Sequence, residues 1–159
     1  MGSIIVDLER RANELCQTYR VDCPSALLAL PSRQVAERTD GLWQHTCFEA
    51  FVRQGETAYA EFNLSPSGQW AAYDFDSYRT GMRAREMAPP RIDIEIGAAQ
   101  FVLTALIDVT GLNGELGITA VIEEADGTKS YWALAHGEGR PDFHHGACFA
   151  ATLPAPNEA

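Results

Sequence analysis

Short runs of alternating apolar and polar side chains follow one another along most of this chain, and none keeps the rhythm of an amphipathic helix. Ser3–Arg10 sets Ile4, Val6 and Leu8 against Ile5, Asp7 and Glu9. Asn13–Asp22 sets Leu15, Gln17, Tyr19 and Val21 against Cys16, Thr18 and Arg20, so both segments read as half-buried strands. Ser25–Leu30, bracketed by Pro24 and Pro31, reads as a strand or a helical turn, and Arg33–Asp40 as polar connection. Three strands are then expected in succession, Thr46–Arg53, Thr57–Leu64 and Gln69–Phe75, with turns at Gly55 and at Ser65-Pro66-Ser67-Gly68. Ser77–Arg91 lacks alternation and is expected to cross the surface as a long loop. Beyond it, Ile92–Ile96 points Ile92, Ile94 and Ile96 inward, and Gln100–Val109, Gly117–Glu124 and Thr128–His136 continue the pattern, with an Asp-Gly hairpin signal at Asp126-Gly127. A loop, His136–His145, leads to a last strand, Ala147–Leu153, and a frayed tail over 154–159. About ten or eleven short strands without a helix predict an all-β sandwich or barrel, built as a single domain over 1–159.

One residue breaks the pattern. On Thr46–Arg53 both faces are largely apolar, Cys47, Glu49 and Phe51 on one and Phe48, Ala50 and Val52 on the other, so this is expected to be an inner strand covered on both sides. Glu49 stands in the middle of it, where a charge belongs only if it is paired or functional. The next strand sets Tyr59, Glu61 and Asn63 on one face, and the third sets Trp70, Ala72 and Asp74 opposite Ala71, Tyr73 and Phe75. A carboxylate, an amide and aromatic rings gathered on one sheet suit a polyhydroxylated or flat ligand. Glu49 is read either as an acceptor for ligand hydroxyls or as one half of a buried ion pair with Arg79 or Arg53. Trp43 is read as a stacking face or a core anchor, Trp70 as packing, and Asn63 as a ligand contact or a cap on the Ser65–Gly68 turn.

Composition narrows the partners. The 159 residues carry a formal net charge of −10, which argues against nucleic acid and against an anionic membrane surface. No apolar run is long enough for a membrane span, and no secretory signal is visible, so a cytoplasmic location is expected. Cys16, Cys23, Cys47 and Cys148 form no metal-ligand spacing and read as free, small hydrophobes. A Cys16–Cys23 bridge is expected only in an exported chain.

The stretches LWQHTCFEAF (Leu42–Phe51), YAEFNLSPSGQWAAYDFDSYRTGM (Tyr59–Met82), YWALAH (Tyr131–His136) and PDFHH (Pro141–His145) together resemble the bacterial DOMON-like proteins related to family 9 carbohydrate-binding modules. The resemblance implies a two-sheet antiparallel β-sandwich of jelly-roll or DOMON-like type. Family 9 modules hold a sugar end between two tryptophan rings, with a glutamate and an arginine bonding its hydroxyls. Trp43 and Glu49 have the separation of the first tryptophan and that glutamate; Arg79 follows in the expected order, and Trp132 is the candidate for the second ring. The resemblance therefore implies a non-catalytic module for a small molecule, most plausibly a sugar, with Trp43, Glu49, Arg79, Asn63, Trp132, His45 and His144 as ligand-binding candidates.

Two other chemistries fit the same residues. Some DOMON domains bind b-type haem, and Met82 with one of His45, His136, His144 or His145 can supply a Met/His axial pair. A histidine with Glu49 can likewise form a metal site or an acid–base pair, and Glu49 with Glu61 can be imagined attacking a glycoside. No nucleophile, phosphate-loop or dinucleotide motif accompanies them, so no catalytic residue and no obligatory cofactor is assigned. His144 and His145 are adjacent, so at most one is expected to enter a common pocket.

Overall fold

The computed structural model describes residues 2–154. The chain folds as two antiparallel sheets packed face to face. One sheet runs β1 (Ser3–Arg11), β2 (Glu14–Asp22), β8 (Gln100–Asp108) and β7 (Arg91–Ile96), in that order. The other runs β10 (Lys129–Ala133), β9 (Glu115–Glu123), β3 (Cys47–Gln54), β4 (Ala58–Leu64), β5 (Trp70–Phe75) and β6 (Arg83–Ala84), with β11 (Ala151–Thr152) beside β9. Alternation places one row from each sheet in the shared interior: Tyr19, Phe101 and Leu103 from the first, Phe48, Phe62 and Trp70 from the second. Phe48 lies at the centre, its ring 4.9 Å from Tyr19 and 6.0 Å from Phe101. All four cysteines are free thiols.

The central strands of the second sheet, β3, β4, β5 and β9, are buried on both faces. Cys47 through Val52 are buried without a break, as the two apolar rows of β3 require. The outer face is covered by the chain between β5 and β6 and by the loop after β10, which adds Phe143 and Phe149 to one apolar cluster with Phe51, Tyr59 and Phe75. This second, smaller apolar cluster turns the outer face into the wall of a cavity.

Several expectations shift in detail. Ser25–Leu27 is a single helical turn. The surface excursion contains the short edge strand β6, which pairs Tyr73 with Ala84. The expected strand over Ala147–Leu153 is mostly irregular: the His145 side chain accepts from Ala147 N–H at 3.0 Å and caps a turn at Gly146–Cys148, leaving only Ala151 and Thr152 to pair. Ile96 does not face inward. Burial falls along β7 from Ile92 to Ile96, which stands exposed at the hairpin end of an edge strand. Of the expected frayed tail only Pro154 lies among the described residues.

Candidate functional site

The strand register decides which side chains share the outer face. Glu49 on β3 stands opposite Asn63 on β4 and Thr119 on β9, and Phe51 stands opposite Glu61, which stands opposite Tyr73 on β5. Residues paired in this way point to the same side. Glu49 and Glu61 are thus diagonal neighbours, within reach of each other through their long side chains. Above them opens a cavity of about 470 Å³, within the range of small-molecule sites. Its floor is Glu49, Glu61 and Asn63, and its walls are the rings of Phe51, Tyr73, Phe75, Tyr131 and Phe143. Trp43, Arg79, Met82, Asp142 and His144 also line it.

Glu49 is 3% exposed and forms no ion pair among the described residues. Arg53 pairs instead with Glu115 and Arg79 with Asp142, so neither arginine neutralises it. With its amide nitrogen turned toward β3, Asn63 donates to Glu49 Oε1 at 2.9 Å and to the Phe62 carbonyl at 3.3 Å. Glu49 Oε2 is buried with no hydrogen-bond partner among the described residues. Burial first, then the nearby Glu61 charge and a hydrogen bond with Glu61, pushes the Glu49 carboxyl well above its ordinary 4.5. Burial also raises Glu61, to about 7, against the lowering effects of the Glu49 hydrogen bond and the Arg79 charge. Near neutral pH the pair therefore holds at least one proton.

His144 lies beside this pair. Its Nδ1 is 2.6 Å from the Tyr59 hydroxyl, which also accepts the Arg79 backbone N–H at 3.1 Å. That partner set makes Tyr59 the donor to Nδ1 and puts the ring proton on Nε2, which faces Glu61 Oε1 at 3.8 Å. Burial, reinforced by the Arg79 charge and opposed by Asp142, lowers His144 to about 4, so the imidazole is neutral. Arg79 adopts a left-handed backbone, φ 49°, and its guanidinium reaches Asp142 at 2.8 Å. The Tyr78 hydroxyl donates to the same carboxylate, so Asp142 ties together the two loops that wall the cavity.

Five of the seven ligand-binding candidates from the sequence meet in this cavity: Trp43, Glu49, Asn63, Arg79 and His144. Trp43 is not a core anchor. It sits on a helical turn, Leu42–Gln44, and is 54% exposed at the rim. Asn63 does not cap the following turn, whose bonds come from Ser65 and Ser67. The other two candidates lie elsewhere. Trp132 pairs with Ala120 and packs into the interior between the sheets, because it occupies the opposite parity on β10 from Tyr131. His45 is largely exposed and bonds Glu123 at 3.2 Å, outside the cavity. Glu61, Tyr73, Tyr131 and Asp142 also line the cavity and were not among the ligand-binding candidates from the sequence. The alternation on β4 and β5 carried the signal for the first two, whereas Asp142 depends on how an irregular loop folds back.

No family model matches the sequence, and no characterised protein sequence matches it closely enough to name a relative. Among solved structures, the fold is similar to that of a proposed carbohydrate-binding protein from Bacteroides uniformis, with a TM-score of 0.67 at 16% identity. The alignment covers 95% of this chain and 77% of that one. The likeness is one of fold.

Proposed function

We infer that the chain is a binding module that holds a small polyhydroxylated ligand, a carbohydrate, in the cavity over Glu49. The observation that carries this reading is Glu49 Oε2, buried and unpartnered among the described residues at the floor of a ring-walled cavity. A buried polar atom left without a partner is costly, and a ligand hydroxyl donated to it removes that cost. Trp43 at the rim offers a flat apolar face to a sugar ring, and Arg79 offers guanidinium N–H groups beside it. The fold-level likeness to a proposed carbohydrate-binding protein supports the same reading.

The finer kinship, to DOMON-like proteins and family 9 modules, is supported by Trp43, Glu49 and Arg79 lining one cavity. It departs from that pattern at the second ring. Trp132 faces the core, so a sandwiching ring would be Tyr131 or Phe143. The competing chemistries are less well supported. A Met/His haem pair would require His144 to give up Tyr59, while Met82 is 57% exposed at the rim.

A glycan array probed with the labelled protein tests the reading. Binding to at least one sugar is expected, weakened by about tenfold or more in Trp43→Ala and in Glu49→Gln. Binding unchanged in both variants would remove the cavity from consideration.

A further inference from the structure

The cavity floor concentrates acid groups, and among the described residues that line it no cation is left uncommitted. Glu49 and Glu61 are diagonal neighbours on one face of β3 and β4, and Asn63 supplies one N–H to Glu49 Oε1. Glu49 Oε2 is left buried and without a partner among the described residues. From the loop after β5, Arg79 is engaged by Asp142. From the loop after β10, His144 is neutral and Asp142 adds another negative charge. On β3 and β4, Cys47 and Tyr59 are the other titratable neighbours. β5 contributes Tyr73, held by Asp40, and β10 contributes Tyr131, while β9 gives only Thr119 and Val121. Tyr19 approaches from the core side, bonded to the Glu49 carbonyl. The walls are aromatic faces, which attract cations.

We propose that the ligand is an amino sugar whose ammonium group seats on the Glu49–Glu61 pair. The proposal rests on the carbohydrate reading above and narrows it to one chemical class. An ammonium brings three N–H donors, of which one reaches Glu49 Oε2 and another Glu61. Its positive charge replaces the proton that the two carboxyls share: the ammonium enters, one proton leaves to solvent, and both carboxylates are then paired. A neutral sugar fills Oε2 with one hydroxyl and leaves the shared proton in place. An acidic sugar sets a third carboxylate against the first two and is rejected.

Isothermal titration of the full chain with glucosamine, glucose, glucuronate and cyclohexylamine, in buffers of different ionisation enthalpy, tests this. Glucosamine is expected to bind about tenfold tighter than glucose, the lower end for a hydrogen bond to a charged group, and to release protons that glucose does not. Glucuronate is expected to give no heat. Glu61→Gln is expected to bring glucosamine down to the affinity of glucose. If that variant does not fold, as judged by its thermal transition, the wild-type proton count decides alone.

Glucose bound as tightly as glucosamine, or glucosamine bound without proton release, would overturn the ammonium seat and leave the carbohydrate reading standing. Cyclohexylamine matching glucosamine while glucose is silent would support the seat and overturn the carbohydrate reading beneath it. Heat from none of the probes would overturn both.

Discussion

Burial and the neighbouring Glu61 hold the Glu49 carboxyl well above its ordinary 4.5. Unfolded, the same carboxyl loses its proton near that ordinary value. Above it the folded state binds more protons than the unfolded one, so Glu49 makes stability fall as pH rises. Glu61, at about 7 when folded, adds to the fall between about 4.5 and 7. His144, lowered from 6.5 to about 4, opposes it between those two values. Urea unfolding from about pH 5.5 to pH 8 should therefore show the wild type losing stability, with Glu49→Gln losing less and gaining on the wild type as pH rises. Parallel profiles would mean that Glu49 ionises as it does in water. Glu49 stood out in the sequence because a carboxylate interrupted two apolar rows. Glu61 was legible as a second carboxylate beside it, but the alternative ion pair with Arg79 or Arg53 is not formed, because those arginines bond Asp142 and Glu115.

Strands were legible wherever alternation met a recognisable turn, which covers β1 through β5 and β7 through β10. The elements that the pattern misjudged are governed by side-chain bonds. His145 caps a turn where Ala147–Leu153 read as a strand, and parity on β10 sends Trp132 inward and Tyr131 to the cavity. The cavity walls belong to this class too. Asp142 Oδ1 accepts from Arg79 at 2.8 Å and from the His144 backbone N–H at 3.1 Å, clasping the loops after β5 and after β10. Asp142→Asn is expected to cost about 1 kcal/mol. Hydrogen exchange at the Arg79 and His144 amides should quicken, while the amides of β3 and β4 keep their protection. Equal loosening of loops and strands would show that Asp142 supports the sandwich and not the walls.

At the scale of the molecule, the two faces of one sheet divide the work. The inner face, with Phe48 between Tyr19 and Phe101, holds the sheets together, and the outer face carries the cavity. Phe48→Ala should cost about 3–5 kcal/mol, seen as a single thermal transition moved to lower temperature. Trp43→Ala, at an exposed rim position, should cost under about 1 kcal/mol while weakening sugar binding. A large stability loss from Trp43→Ala would place that ring in the core after all. The fold class was written throughout the chain as alternation repeated strand by strand. The cavity floor was written in the outer-face rows of β3, β4 and β5, and its depth comes from loops that carry no such periodicity.

The most direct test is a nuclear magnetic resonance titration of isotope-labelled protein with a mixture of hexoses and amino sugars. The backbone amides of Glu49, Glu61 and Asn63 and the Trp43 indole N–H should shift together, while β1, β2, β7 and β8 stay still. Shifts confined to those four strands, or no shift at saturating sugar, would contradict a binding site over Glu49.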